Sequence, residues 1–236
     1  MIEVVNCEPY FARLLSEADT DLQTNPPYYS VYPVRLLDGS ILELPLKAFP
    51  DGQMAIALLM SNQTPFSVEE KLTPLLTNLA RQFNPEAIVG IPTLGLDYAR
   101  RVARSLGFSQ YTALGNSRKF WYEEKMSVPV ESITSPGSQK RLYIDPGLVS
   151  RVQGKRTVIV DDVINTGGTA AASIELLRRV GAEVVGLVVV LTEGHDWKKK
   201  LEDVGFDWSN KVRSLGHIPL FQSFEGAWIP IPSTCI

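Results

Sequence analysis

The residues best suited to chemistry lie in one short stretch, Asp161-Asp162-Val163-Ile164-Asn165-Thr166-Gly167-Gly168-Thr169. Two adjacent carboxylates come first, and two glycines flanked by threonines follow. Glycines let backbone amides approach a ligand closely. The first turn of a helix offers unpaired N–H donors and a partial positive charge, which favour a phosphate. Because the carboxylates can accept hydrogen bonds from vicinal hydroxyls, the stretch suits a sugar phosphate gripped at both ends.

Regular elements are predicted on both sides of this stretch. The apolar run Thr157–Val160 predicts a strand before the acids, and Gly167–Val180 predicts a helix after the glycines. Strand patterns at Ala87–Ile91 and Glu183–Leu191, with a helix pattern at Leu96–Leu106, complete an alternation of strands and helices. Such alternation predicts βαβ units and a parallel sheet.

Ligands of parallel sheets bind beyond the carboxyl ends of the strands. Three segments follow predicted strands, namely Pro92–Gly95, Asp161–Thr169 and Thr192–Asp196. We expect all three segments to face the same crevice.

The first part of the chain has a different pattern. Strand-like runs on both sides of Asp38-Gly39 predict a β-hairpin. A helix is predicted from Val68 to Phe83, with Ser67 as its N-cap and with Pro74 bending or splitting it. We therefore divide the chain into an N-terminal segment (1–66), a core domain (67–220) and a C-terminal tail (221–236).

The bulk composition excludes several classes of protein. The chain has 236 residues, 44% of them hydrophobic, and a net charge of −3, so no basic field for nucleic acid or an anionic membrane is present. Its two cysteines exclude a disulfide scaffold. No signal-peptide pattern or stretch of about 20 apolar residues is visible. We expect a cytoplasmic protein that binds neither nucleic acid nor membrane.

The run Val158–Thr169 resembles the signature of the type I phosphoribosyltransferases. A Walker loop would end in Gly-Lys-Ser/Thr, and a dinucleotide-binding turn would lack the preceding acids. The resemblance implies an α/β fold with a parallel twisted sheet flanked by helices, a small hood and a mobile loop. The alternating residues around Asp38-Gly39 are our candidate for the hood.

The resemblance also implies roles for the matching residues. Asp161 and Asp162 would hold the ribose hydroxyls of 5-phosphoribosyl-1-pyrophosphate, directly or through Mg²⁺, and Asn165–Thr169 would cradle the 5′-phosphate. The run Ile91-Pro92-Thr93-Leu94-Gly95 is similar to the family's pyrophosphate loop. Arg118-Lys119 resembles the basic pair that adenine- and xanthine-type members place on a mobile loop, often in the partner subunit's site. The pair implies a homodimer; a solvated basic pair is the alternative.

The resemblance implies that the chain transfers the phosphoribosyl group to a nucleobase and releases pyrophosphate. Asn165 stands where hypoxanthine/guanine-type members carry an aspartate, which favours the adenine and orotate types, and we expect an adenine-like purine. Glu123, Glu124 and Glu131 remain open as the acid/base group. A ligand-sensing regulator built on the same fold is the alternative function, although no helix-turn-helix pattern is visible.

The remaining conspicuous side chains receive structural interpretations. His195 and His217 lie far apart in sequence with no nucleophile or acid arranged around them. Trp197 is interpreted as a packing residue at the start of a lysine-bearing helix, with stacking on a base as the alternative.

Overall fold

A computed structural model describes residues 11–15, 24–130, 140–205 and 207–236. Within these ranges the α-helices are α1 (Phe66–Arg81), α2 (Gly95–Ser105), α3 (Gly168–Arg179) and α4 (Asp196–Glu202). The strands are β1 (Arg13–Leu15), β2 (Val31–Arg35), β3 (Ile41–Ala48), β4 (Met54–Ala57), β5 (Ala87–Gly90), β6 (Thr112–Ala113), β7 (Ser127–Pro129), β8 (Arg141–Tyr143), β9 (Arg156–Ile164), β10 (Glu183–Glu193), β11 (Val212–Ile218), β12 (Phe221–Phe224) and β13 (Ala227–Pro230). None of these helices has the length and apolar character needed to cross a lipid bilayer.

Five strands form a parallel sheet in the order β11-β10-β9-β5-β6. Val158, Ile159 and Val160 of the central strand β9 are fully buried. Val158 and Val160 pack in a core cluster with residues of α1 and α2, whereas Ile159 packs in a second cluster with residues of α3. A strand covered by helices on both faces requires such a continuous apolar run. The predicted parallel sheet flanked by helices is confirmed.

Strand β9 continues beyond the predicted end at Val160. Asp161 pairs with Val189 of β10, and Val163 pairs with Leu191. Backbone pairing uses only main-chain groups, so polar side chains do not end the ladder. The two acids therefore lie within the strand instead of in a loop after it.

Helix α1 differs from its prediction at two points. Pro65, not Ser67, occupies the N-cap position, and it makes no side-chain capping bond. Pro74 lies inside the helix without splitting it. The surrounding turn is held by burial of Leu72 and Leu76 and by a hydrogen bond of 2.7 Å from the Thr73 hydroxyl to the Glu69 carbonyl. Packing of the apolar face thus outweighs the hydrogen bond that a proline cannot donate.

The predicted hairpin is confirmed, because β2 and β3 pair antiparallel on either side of Asp38-Gly39. Gly39 has a φ of +85°, a region that favours glycine. The Asp38 carboxylate accepts hydrogen bonds from the Ser40 amide (3.1 Å) and hydroxyl (2.6 Å). Asp38 also forms an ion pair of 2.5 Å with Lys71 of α1, which lowers the pKa of Asp38 to about 2. The turn is thereby fixed to the core domain.

The hairpin belongs to a six-stranded antiparallel sheet in the order β1-β3-β4-β12-β13, with β2 paired to β3. Strands β12 and β13 come from the C-terminal tail, and Phe221 of β12 is the partner of Ala55 in β4. Tyr28 and Trp228 exchange backbone hydrogen bonds of 2.8 and 2.7 Å. We call this sheet the mixed-end sheet, because its strands come from both ends of the chain. The three-part division of the chain stays a prediction, and the sequence pattern did not indicate that the first and last parts share a sheet.

Two buried tyrosines provide a test of core packing. Tyr98 is fully buried and its hydroxyl has no hydrogen-bond partner among the described residues, whereas the Tyr28 hydroxyl donates to the Thr24 carbonyl at 3.0 Å. An unpaired buried hydroxyl is costly, and a paired one is mildly stabilising. We expect Tyr98→Phe to leave the free energy of unfolding unchanged or raise it by up to about 2 kcal/mol, and Tyr28→Phe to lower it by about 1 kcal/mol. Urea unfolding of both variants measures the difference, and equal destabilisation would contradict this account.

Candidate active site

A cavity of about 290 Å³ opens at the carboxyl ends of β5 and β9. It is lined by two segments, Ile91–Leu94 and Asp161–Ala170. The cavity therefore brings together nearly all the residues that the sequence singled out: Pro92, Thr93, Leu94, Asp161, Asp162, Asn165, Thr166, Gly167, Gly168 and Thr169. Gly95 stands directly behind this wall, at the start of α2.

The two acids lie side by side in a poorly solvated position. Asp162 is 9% exposed, and its amide donates a hydrogen bond of 3.0 Å to Oδ1 of Asp161. Burial raises the pKa of both carboxyls, and for Asp161 the charge of Asp162 raises the pKa further. Adjacent buried carboxylates are costly unless cations or hydrogen-bond donors compensate them. The pair is therefore suited to a ligand that brings such groups.

The glycine-rich turn leads directly into helix α3. Gly167 occupies the N-cap position with a φ of +80°, and no side chain caps the helix there. The amides of the first turn of α3 thus receive no cap from the N-cap residue, and they lie at the anion-favouring end of the helix dipole. A Cβ on Gly167 would lie 3.0 Å from the Cα of Trp197. Glycine at this position is required both by the backbone conformation and by the close approach of α4.

The other wall of the cavity is the segment Ile91–Leu94, in which the Pro92–Thr93 peptide bond is cis. A Cβ on Gly95 would lie 2.5 Å from Oδ1 of Asp161 and 2.8 Å from its Cα. The Leu94 carbonyl accepts a hydrogen bond of 2.8 Å from the hydroxyl of Ser61. Ser61 is 1% exposed and lies in a short 3₁₀ turn between β4 and α1. This contact was not predicted, since only a tertiary neighbour distinguishes Ser61 from any other serine.

Arg118 and Lys119 do not line the cavity. Both side chains are exposed, and the Arg118 guanidinium lies 3.3 Å from the carboxylate of Glu124. The adjacent Phe120 is 97% exposed. The basic pair is thus presented to solvent on a surface segment, and its predicted role over the site stays a prediction.

Two of the three predicted acid/base candidates form ion pairs on the surface, and the third lies outside the described residues. Glu123 pairs with Lys125 at 2.8 Å, and Glu124 pairs with Arg118. Glu131 lies outside the described residues. Neither Glu123 nor Glu124 lines the cavity.

Comparison with known proteins agrees with this geometry. The sequence model of the family described as phosphoribosyl transferase domain matches residues 67–217, well over half of the chain. The chain belongs to the phosphoribosyltransferase family. Its matched region covers the parallel sheet up to the last residue of β11, Ile218, and both segments that line the cavity.

Similar proteins include enzymes for different purines. A hypoxanthine/guanine phosphoribosyltransferase of Methanothermobacter thermautotrophicus is 30% identical over 151 residues, which are 63% of this chain and 74% of that protein. An adenine phosphoribosyltransferase of Erythrobacter litoralis is 35% identical over 143 residues, 60% of this chain and 76% of that protein. The family is therefore shared with several purine phosphoribosyltransferases.

Solved structures show the same fold. The adenine phosphoribosyltransferase of Thermoanaerobacter pseudethanolicus has a TM-score of 0.57 at 22% identity, covering 74% of this chain and 95% of that chain. The enzyme of Giardia lamblia, complexed with 9-deazaadenine, has a TM-score of 0.59 at 19% identity, covering 74% and 93%. The type I phosphoribosyltransferase fold predicted for this chain is confirmed.

The third segment at the strand ends, Thr192–Asp196, does not line this cavity, although it follows β10 at the same edge of the sheet. Its histidine is used structurally: His195 stacks on His217 with ring centroids 5.2 Å apart. Nε2 of His195 lies 2.9 Å from the Cys235 carbonyl, and Nε2 of His217 lies 2.7 Å from the Thr234 carbonyl. The two rings thus bind the backbone of the C-terminal tail instead of a ligand.

Trp197 is buried, and its indole N–H donates to the Gly194 carbonyl at 3.2 Å. The interpretation of Trp197 as a packing residue is confirmed. Glu193, in the same segment, was overlooked: it is 5% exposed, and burial raises its pKa to about 7. The signal available in the sequence was an acidic residue that ends a run of nine uncharged residues, Val184–Thr192.

The close contact between Gly95 and Asp161 can be tested. In Gly95→Ala the added methyl group would displace Asp161, and we expect phosphoribosyl transfer to fall by roughly 100-fold, since small displacements at a reacting centre are costly. Gly115→Ala is the matched control, because a Cβ there meets no atom within 4 Å and its backbone is not in the left-handed region. Steady-state rates and thermal unfolding are measured for both variants. Full activity of Gly95→Ala would show that the acid pair tolerates the displacement.

Proposed function

We propose that the protein transfers the 5-phosphoribosyl group of 5-phosphoribosyl-1-pyrophosphate to a nucleobase and releases pyrophosphate. The observation that carries the proposal is the cavity in which the acid pair lies between the N-terminus of α3 and the segment Ile91–Leu94. The donor has three matching parts, namely a 5′-phosphate, a ribose with two hydroxyls, and a pyrophosphate. One cavity of about 290 Å³ offers a distinct partner for each part.

The amides and hydroxyls of Asn165–Thr169 would bind the 5′-phosphate, because uncapped helix amides favour an anion. Asp161 and Asp162 would accept hydrogen bonds from the ribose hydroxyls. The segment Pro92–Gly95 would contact the pyrophosphate. This arrangement holds the C1 carbon of the ribose between two fixed anion sites, and it orients the leaving group before the base arrives.

A divalent cation fits the acid pair. Two adjacent carboxyls with raised pKa values, one buried and one half-buried, are stabilised in their charged form by positive charge or donors, and Mg²⁺ typically binds through one or two carboxylates together with phosphate oxygens and water. Asp161 and Asp162 would hold the ion. When bound, Mg²⁺ would stabilise negative charge on the departing pyrophosphate.

We propose an adenine-like purine as the acceptor and nucleotide salvage in the cytoplasm as the setting. Asn165 cannot exchange a proton with a base, which supports a site of the adenine type over the hypoxanthine/guanine type. The described part of the N-terminal segment forms strands where a DNA-binding module would be needed for a regulator. No observation favours the ligand-sensing alternative.

We propose that Arg118 and Lys119 act on the pyrophosphate across the interface of a homodimer. Both cations are exposed and neither lines the cavity of its own subunit, which supports a role in the site of a partner. Cationic groups at the leaving pyrophosphate would stabilise the charge that develops there.

Substitution of one acid tests the reaction. Asp162→Asn removes a charge without changing the shape of the side chain, and we expect turnover to fall by about 100-fold or more because the ribose and cation lose a ligand. Asp203→Asn is the control, because Asp203 forms only an exposed pair of 3.7 Å with Lys200. Pyrophosphate release is measured with Mg²⁺ and a panel of bases that includes adenine, guanine, hypoxanthine, xanthine, uracil and orotate. Unchanged activity of Asp162→Asn, or no turnover of any base by the wild type, would count against the proposal.

Mixing two inactive variants tests which subunit supplies Arg118 and Lys119 to a given site. Asp162→Asn lacks a functional acid pair, and an Arg118→Ala/Lys119→Ala variant lacks the cations. If the cations act in the partner's site, random heterodimers contain one complete site, and we expect about a quarter of wild-type activity to return on mixing. Native mass spectrometry confirms that subunits have exchanged, because the heterodimer has a mass between those of the two homodimers. Absence of recovery in exchanged dimers would show that the pair does not act across the interface.

A further inference from the structure

Glu193 ends strand β10 at the edge of the sheet where the cavity opens. It is the partner of Ile218 in β11, and the register that pairs Thr192 with Ile164 brings it beside Asn165, the next residue of the cavity wall. Neighbouring strands lie about 4.8 Å apart. The segment that follows Glu193 also meets the glycine-rich turn, since Gly167 packs closely against Trp197. Glu193 is therefore adjacent to the sugar-phosphate cavity, on its β10 side.

The carboxyl of Glu193 is isolated from other polar groups. The residue is 5% exposed, and no hydrogen bond or ion pair with another residue of the described ranges involves its side chain. A buried carboxyl without a partner is destabilising, so it calls for a functional explanation. The neighbouring polar side chains of Thr192, His195 and Trp197 all have partners within the protein. Glu193 is the exception in an otherwise satisfied segment.

The stereochemistry of displacement at C1 places the incoming base near this carboxyl. In the proposed function the ribose lies at the acid pair of β9, and the pyrophosphate lies at the segment after β5. Displacement at C1 places the incoming base on the side opposite the leaving group. In the sheet order β11-β10-β9-β5, the strand on that opposite side of β9 is β10. The end of β10 is Glu193.

We propose that the Glu193 carboxylate accepts a hydrogen bond from the exocyclic amino group of the nucleobase and thereby selects an amino-substituted base over an oxo-substituted one. This inference rests on the proposed function, because the position of the ribose determines where the base lies. An ionised carboxylate can only accept hydrogen bonds, so it pairs with an amino group and opposes a carbonyl oxygen. The selection is strongest above neutral pH, where the side chain of Glu193 is ionised, since burial raises its pKa to about 7.

Binding of reaction products separates the base contact from the sugar-phosphate contact. Adenosine 5′-monophosphate, inosine 5′-monophosphate and ribose 5-phosphate are titrated by calorimetry into the wild type at pH 8. We expect the adenine nucleotide to bind about 10-fold more tightly than the inosine nucleotide, the effect of one hydrogen bond to a charged group. Ribose 5-phosphate reports the sugar-phosphate site alone.

Two variants at position 193 have different expected outcomes. Glu193→Met keeps the length of the side chain but cannot accept the bond, so the adenine nucleotide should lose about 10-fold in affinity while ribose 5-phosphate is unaffected. Glu193→Gln can turn either its oxygen or its amino group to the base, so the preference between the two nucleotides should disappear. Glu183→Met is the matched control at the opposite end of the same strand, where Glu183 forms an exposed pair of 3.4 Å with Arg156. It should leave all three affinities unchanged.

The results distinguish this inference from the proposed function. Equal binding of both nucleotides by the wild type, or wild-type affinity of Glu193→Met for the adenine nucleotide, would overturn the role of Glu193 while ribose 5-phosphate still binds. Parallel loss of ribose 5-phosphate affinity in Glu193→Met would also overturn it, because the residue would then only support the strand end. Failure of all three ligands to bind the wild type would instead contradict the proposed function. Thermal unfolding of Glu193→Met should occur at an equal or higher temperature, since a lone buried carboxyl is removed.

Discussion

The confinement of two neighbouring carboxyls, Asp162 buried and Asp161 half-buried, is the constraint on which the rest of the structure depends. Both residues belong to the central strand of a parallel sheet, so backbone pairing fixes their main chains at the edge of the cavity. Helix α2 begins so close to Asp161 that only glycine fits at position 95. The free energy required to keep this pair in place must be supplied by the surrounding core. A ligand that brings cations and hydroxyls offsets this cost, so the acid pair favours binding of a polyhydroxylated ligand together with a cation.

The two walls of the cavity are held by different parts of the fold. The glycine-rich turn rests on α4 through the contact between Gly167 and Trp197. The opposite wall is held by a hydrogen bond from Ser61 to the Leu94 carbonyl. Ser61 lies in the turn that follows β4 of the mixed-end sheet. The parallel sheet fixes the acids between these walls. A ligand that touches both walls therefore contacts elements that the chain contributes from distant positions in its sequence.

The parallel sheet, its helices and the residues of the cavity could be predicted because each depends on a local pattern. The apolar run before Asp161 indicates a strand, and the glycines after Asn165 indicate a turn into a helix. What escaped prediction depends on tertiary neighbours. Ser67 has the right residue type for an N-cap, yet the chain enters α1 through Pro65. Strands β12 and β13 have no local feature that indicates their partner β4. Glu193 attracts attention because its side chain is buried without a partner among the described residues, and both properties depend on the fold.

Because the mixed-end sheet combines strands from both ends of the chain, it can be completed only late in synthesis. Strand β4 pairs on one side with β3, a close neighbour in sequence, and on the other with β12, more than 160 residues later. During synthesis the early strands must wait, with one edge unpaired, until the whole parallel domain has emerged from the ribosome. Contacts of such long sequence separation form slowly, and open strand edges invite association with other chains. The edge of β4 therefore stays open to association with other chains until β12 pairs with it.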